Sequence, residues 1–220
     1  MGVPLEVFSR VVQFTGESFK PGTGFLVGQG DKQILVTAKH LCIDEPEETV
    51  TIRNSSANDG FAYQITLSRI GMSAVPTADF AVFAMGGSPV DVSVDVPLTS
   101  DLFAYGQDAF ILGYPHSIGL RPRGTVQHIP FVKRRIASAW QTDDDDVATF
   151  YVDAIVNPGF SGGPLIFFQT EVRQWRFAGV VVRNMIAPLW EPTTDEPDPP
   201  VGPAGIGHVI DASTINRALQ

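Results

Sequence analysis

Short apolar runs rich in β-branched and aromatic residues recur along the chain, each closed by Gly, Pro, Asn or Asp. In order they are "EVFSRVVQF", "GFLVG", "QILVTA", "ETVTIR", "YQITLSRI", "FAVFAM", "AFILGY", "TVQHIPFVKRRI", "ATFYVDAIV", "PLIFF", "FAGVVVRNMI" and "GIGHVID". This pattern predicts about a dozen short strands. Strands of this length with turn residues between them bury their apolar faces in closed or sandwiched antiparallel sheets, an all-β class. A single helix is predicted at "DASTINRAL". There Asp211 or Ser213 can cap the N-terminus, and Ile215 and Leu219 share a face. Turn formers gather in "GGSPVDVSVDVPLTSDLFAYGQ" (86–107) and divide the strands into two groups of roughly six. "TDDDD" (142–146) reads as a hairpin tip. The acidic, proline-rich "WEPTTDEPDPPVGPAG" (190–205) reads as a mobile surface excursion.

Composition narrows the function classes. At 220 residues, 44% of them hydrophobic, the chain is large enough for a substantial core. Its formal charge of −9 argues against nonspecific nucleic-acid binding, which requires a basic face. The short clusters "RPR" (121–123) and "KRR" (133–135) read as loop or strand-edge charges. No apolar run approaches the ~18 residues of a membrane span, and the first residues lack the pattern of a secretory signal. Glu6 stands where a myristoylation motif has Ser or Thr. The lone Cys42 rules out an internal disulfide, so the expected location is the reducing cytoplasm.

One stretch, "NPGFSGGPLIFF" (157–168), sets a serine among three glycines just before an apolar strand. By itself it describes a turn ahead of a buried strand. Glycine is costly in ordered chain, however, and three together indicate a sharp bend or a close approach. A serine hydroxyl becomes a nucleophile only when a base takes its proton. Of His40, His116, His128 and His208, His40 follows directly on the apolar run "LVTA", where a strand end can hold it rigidly. A base of this kind needs an orienting acceptor. Asp79 heads the apolar strand "FAVFAM", where a carboxylate is expensive unless paired. The constellation reads His40, Asp79, Ser161 in chain order.

The blocks "GTGFLV" (22–27), "LVTAKH" (35–40), "ADFAV" (78–82), "FILGYP" (110–115), "DAIVNPGFSGGPL" (153–165) and "GIGHVIDASTINRAL" (205–219) resemble those of a chymotrypsin-fold, trypsin-like serine protease. The nearest resemblance is to the protease domain of the HtrA (DegP-like) group. It implies two six-stranded antiparallel β-barrels with the site between them. One spans residues 1–95 with His40 and Asp79; the other spans 96–220 with Ser161 and the substrate pocket, ending in a helix. It further implies a serine endopeptidase acting on protein or peptide substrates. Ser161 attacks, His40 relays the proton, Asp79 orients His40, and the N–H groups of Gly159 and Ser161 form an oxyanion hole for an acyl-enzyme pathway. No cofactor or metal is called for.

Two departures are informative. Phe160 occupies the position where secreted digestive enzymes have an aspartate that captures a new N-terminus, so activation by that route is not expected. No PDZ segment follows the terminal helix, and no trimer is expected. The resemblance places the wall of the P1 pocket at residues 153–158, Val180–Arg183 and Gly205–His208. Ile155, Val156, Val181 and Val182 make that wall apolar and suited to aliphatic P1 residues. His208 would instead receive Glu or Gln, or would sit outside the pocket. Two further readings remain beside the active protease: a catalytically idle binding module on the same barrels, and a protease silent until a regulatory protein partner orders its loops.

Overall fold

The computed structural model describes residues 2–15, 19–29, 32–42, 47–54, 63–86, 94–120, 128–192, 194 and 198–220. The "RPR" cluster and parts of the 86–107 and 190–205 stretches lie outside them. A helical turn α1 (Leu5–Phe8) leads into β1 (Val11–Phe14), β2 (Gly22–Gln29), β3 (Lys32–Thr37), β4 (Glu47–Asn54), β5 (Tyr63–Met72) and β6 (Ala81–Met85). These six close an antiparallel barrel in the order β1-β2-β3-β6-β5-β4, with β1 pairing back to β4 at Val12↔Asn54 and Phe14↔Ile52. A second barrel follows: β7 (Asp108–Gly113), β8 (Phe131–Thr142), β9 (Ala148–Asp153), β10 (Pro164–Gln169), β11 (Gln174–Pro188) and β12 (Val201–Asp211). Its order is β10-β11-β12-β9-β8-β7, closed by β7 against β10 at Leu165↔Ile111. Closure leaves neither sheet with a free edge.

Three segments differ from the expectations above. "EVF" is helical, because Pro4 starts a turn there and strand pairing begins only at Val11. In the described part of "TVQHIPFVKRRI", His128 onward, the strand starts at Phe131, since Pro130 has no N–H for the ladder, and it runs on to Thr142. Part of the 190–205 excursion is strand. Ile186↔Pro203, Ala187↔Gly202 and Pro188↔Val201 pair, so 201–205 belongs to β12. "TDDDD" does form a hairpin tip, in which Asp143 Oδ1 accepts from the Asp145 N–H at 3.1 Å and the Val147 N–H at 2.8 Å.

Two apolar clusters hold the molecule. One fills the second barrel, with Ile111, Phe150, Phe160, Leu165, Phe167 and Val181. The other fills the first barrel and continues across the interface through Tyr114, Phe177, Val180 and Val182 to the closing helix α2 (Ala212–Arg217). Asp211 caps that helix by accepting from the Ser213 N–H at 2.6 Å. Ile215 is fully buried in the shared cluster, and the end of α2 packs on Gly71 in β5. Polar contacts also join the barrels: His128 Nε2 lies 2.6 Å from Gln13 Oε1, and the His128 ring stacks on Tyr114. His128 is therefore a structural histidine at the interface.

Replacing Ile215 by Ala removes apolar contacts from the cluster that the two barrels share. Urea denaturation should show a loss of about 2–5 kcal/mol. A loss below about 1 kcal/mol would show that α2 contributes little to holding the barrels together.

Candidate active site

His40 follows β3 in a short helical turn, Lys39–Leu41. Leu41 is buried, so the turn is anchored on one side while His40 faces solvent. Asp79 sits between the buried Ala78 and Phe80, just before β6. With both neighbours fixed in the core, its carboxylate turns to His40. Asp79 Oδ1 accepts from the His40 backbone N–H at 3.0 Å, and Asp79 Oδ2 lies 2.6 Å from His40 Nδ1. This pairing puts the ring proton on Nδ1 and leaves the Nε2 lone pair available. Burial by itself raises the Asp79 carboxyl. Hydrogen bonds and charge from His40, with a contribution from Arg183, outweigh it and hold the group below its ordinary range.

Ser161 lies in the loop between β9 and β10. Gly159 and Gly162 have φ of +98° and +82°, a region open chiefly to glycine. A Cβ at Gly159 would lie 2.3 Å from the Tyr114 carbonyl oxygen, and one at Gly162 would lie 1.9 Å from that of Thr23. The glycines thus let this loop seat directly on neighbouring backbone. Thr23 of β2 supplies much of that seat. Its N–H donates to Ser161 O at 3.0 Å, and its Oγ1 donates to Gly159 O at 2.6 Å and accepts from the Tyr114 N–H at 3.1 Å. Among the described residues, the N–H groups of Gly159 and Ser161 donate to no protein acceptor. Both are available for a developing oxyanion.

His40, Asp79 and Ser161 line one cleft of about 610 Å³. The Ser161 hydroxyl donates to the Val182 carbonyl at 3.1 Å, and no hydrogen bond joins it to the His40 ring. Val182 is the extra residue of a β-bulge: Val181 pairs with Val209 and Arg183 with His208, leaving Val182 without an opposite number. The bulge also explains why Val182, Arg183 and Asn184 all line the cleft, where a regular strand would turn alternate residues away.

Of the residues expected to form the substrate wall, Ile155, Val156 and Val182 line the cleft. Val181 and His208 do not. Val181 faces the opposite side of β11, inside the second barrel's core. His208 packs edge-on against Tyr151, and burial followed by the charge of Arg183 holds its imidazole below the ordinary histidine range. Being neutral and outside the cleft lining, it offers no cationic partner for a Glu side chain.

Sequence reading did not identify two polar side chains that organise this wall. Asn184 accepts from the Val156 N–H at 2.5 Å and donates to the Val156 carbonyl at 2.6 Å, tying the two sides of the cleft together. Lys133 Nζ donates to Ile155 O at 2.9 Å and to Asn157 Oδ1, and lies 4.6 Å from the centre of the Phe160 ring. Burial, then the charge of Arg135, lowers the Lys133 ammonium from its ordinary range. Phe160 itself is buried in the second barrel's core. At the residue before the serine, apolar burial thus anchors the loop.

A family model described as a trypsin-like peptidase domain matches residues 22–173, well over half of the chain and including His40, Asp79 and Ser161. No curated protein matches the sequence. Among solved structures, the inactive form of the Rv3671c protease superimposes with a TM-score of 0.60 at 18% identity, covering 97% of this chain and 88% of that one. An inactive serine-to-alanine mutant of Rv3671c from M. tuberculosis H37Rv gives 0.61 at 18% identity, covering 97% and 86%. The serine endoprotease of Yersinia pestis gives 0.60 at 18% identity, covering 97% of this chain and 62% of its own. These likenesses establish the shared fold.

Two outcomes follow from the geometry. Thr23→Val keeps the shape of the side chain but orphans the Gly159 carbonyl and the Tyr114 N–H. Stability should drop by about 1–3 kcal/mol, and the serine loop should become more sensitive to limited proteolysis; an unchanged melting temperature would contradict the role assigned to Thr23. The lowered Asp79 pKa also carries a sign. Its contribution to stability is fully present above the ordinary carboxylate value of 3.8 and is lost as pH falls through the folded value. The gap in melting temperature between the native chain and Asp79→Asn should therefore hold above about pH 5 and close on further acidification. A gap that widens with acid would contradict the pairing.

Proposed function

The chain belongs to the trypsin-like peptidase family, and on that premise we propose that it is a serine endopeptidase of the HtrA-like type, with Ser161 as nucleophile, His40 as base and Asp79 as orienting carboxylate. The observation that carries this reading is the convergence on one cleft of an Asp79-bound imidazole and the Ser161 hydroxyl, which stands in a loop whose Gly159 and Ser161 N–H groups donate to no acceptor among the described residues. The HtrA-like assignment is supported by the sequence blocks around Ser161 and "GIGHVIDASTINRAL".

Rotation about one side-chain bond takes the Ser161 hydroxyl from the Val182 carbonyl toward His40 Nε2. Ser161 Oγ then attacks the scissile carbonyl as Nε2 takes its proton, and the carbonyl oxygen becomes an alkoxide held by the Gly159 and Ser161 N–H groups. His40 returns the proton to the departing amine, leaving an acyl-enzyme that water hydrolyses by the same relay. Asp79 stays ionised throughout, fixing the Nδ1–H tautomer and stabilising the imidazolium. The bulged stretch Val182–Asn184 provides backbone for the substrate to pair with as an added strand.

A second reading has one observation in its favour. The hydroxyl bonded to Val182 rather than His40 describes a resting state, which a regulatory protein partner would convert by ordering the substrate side of the cleft. Labelling by a fluorophosphonate only in that partner's presence would single it out.

Ser161→Ala should abolish peptide hydrolysis and fluorophosphonate labelling while leaving the circular dichroism spectrum unchanged. His40→Ala should be equally severe, because members of a proton relay act as a unit. Hydrolysis surviving in the Ser161 variant would refute the assignment of the nucleophile. Peptide-library profiling should show small or medium aliphatic P1 residues favoured over Lys and Arg. Ile155 and Val156 present an apolar wall, the Asn184 bridge limits depth, and Arg183 opposes a second cation. A buried basic group without a carboxylate partner would cost several kcal/mol. Strong selection for Lys or Arg would overturn this account of the pocket.

A further inference from the structure

A second cavity, of about 340 Å³, lies on the second barrel among residues unrelated to the cleft. Its walls include Phe103, Tyr105, Trp140 and Phe150, with Ser100 and Asp211 at the polar side. Asp211 is only 2% exposed and is the one carboxylate among the buried residues described. Three neutral donors satisfy it in part: the Ser100 hydroxyl at 2.8 Å and the Ser213 N–H at 2.6 Å on Oδ1, and Trp140 Nε1–H at 3.1 Å on Oδ2. No lysine or arginine pairs with it among the described residues. An ionised carboxylate offers about four acceptor sites, so Oδ2 retains capacity.

We propose that this cavity seats the guanidinium or ammonium end of a basic side chain carried by a partner polypeptide. Aromatic faces attract a cation through their quadrupole, and a buried carboxylate lacking a counter-charge completes the site electrostatically. An anion would be repelled, and a neutral apolar group would leave the charge unmatched. The volume falls within the range of about 300–1,000 Å³ usual for ligand pockets. A polypeptide occupant is indicated by the rim. Tyr105 is 68% exposed and Trp140 is 45% exposed, an aromatic surface of the kind that anchors protein interfaces. The chain's net charge of −9 favours a basic partner.

Asp211 also caps α2, and that role alone would account for its burial. Asn caps a helix as well as Asp does, so Asp211→Asn removes the charge and keeps the cap. The test follows the indole N–H resonance of Trp140 by NMR in the full chain, with Ser161→Ala added so that the probes stay intact. The probes are an acetylated, amidated glycine pentapeptide with one central arginine, the same peptide with neutral citrulline in its place, and agmatine. The arginine peptide should shift the Trp140 signal and bind about tenfold or more tightly than the citrulline peptide. That preference should vanish in Asp211→Asn. Equal binding of the two peptides to the unsubstituted site would overturn the proposal without recourse to any variant at Asp211. So would a preference that survives Asp211→Asn, or saturation without movement of the Trp140 signal. Agmatine binding more tightly than the arginine peptide would overturn the polypeptide occupant.

Discussion

Thr23 holds the two barrels in register at the point where the chemistry is placed. Its backbone N–H and hydroxyl secure the carbonyls of Ser161 and Gly159 on either side of Phe160, and its own carbonyl receives the Thr37 hydroxyl at 2.8 Å. The serine loop belongs to the second barrel, whereas His40 and Asp79 belong to the first. On the proposed mechanism, Ser161 and His40, carried by separate barrels, must be held to within a fraction of an ångström for proton transfer. Thr23, fully buried in β2, couples the serine loop to the sheet from which the His40 turn departs. The glycines at 159 and 162 are the counterpart of that coupling, since any side chain there would meet the backbone that receives the loop.

The alternation of apolar and polar residues made the class and the number of strands legible, because sheet pairing imposes a period of two on each segment. The grouping of His40, Asp79 and Ser161 was legible for a different reason: His40 follows one apolar run, Asp79 heads another where a carboxylate is costly without a partner, and Ser161 stands among glycines before a third. The substrate wall was harder to read. The family resemblance placed Val181 and Val182 together in the pocket, but a strand alternates its faces, so Val181 lies in the core, and the bulge at Val182 brings Arg183 and Asn184 into the cleft beside it. A bulge is a mismatch between two strands and leaves no mark in either one alone. Lys133 and Asn184 act on residues 22 to 28 positions away. Their roles depend on how β8, β9 and β11 lie together, which local pattern does not encode. Pro203 likewise suggested loop, yet it pairs opposite Ile186 beside an irregularity that tolerates its missing donor.

Phe160 illustrates how one fold position admits two physical solutions. An aspartate before the serine would need a cation to compensate its burial. A phenyl ring gains instead from apolar contact in the second core and from the ammonium of Lys133 above its face. The same lysine holds the carbonyl of Ile155 and the side chain of Asn157. Phe160 and the cleft wall at Ile155 and Asn157 therefore share one support, and the loop around Ser161 is seated by apolar burial where an aspartate would need a charge partner.

The placement of α2 has a consequence for how the molecule comes into being. Synthesis runs from one terminus to the other, yet the core of the first barrel takes in Ala212 and Ile215, more than a hundred residues after its own sixth strand. A nascent chain that has produced all six strands of that barrel still presents unburied apolar surface where α2 will dock. The pairing of His40 with Asp79 can form early, but the barrel that carries it gains its last buried contacts only after residues 212–215 have left the ribosome. Assembly is thus ordered by topology, and an intermediate stalled before that point is the species most in need of a chaperone.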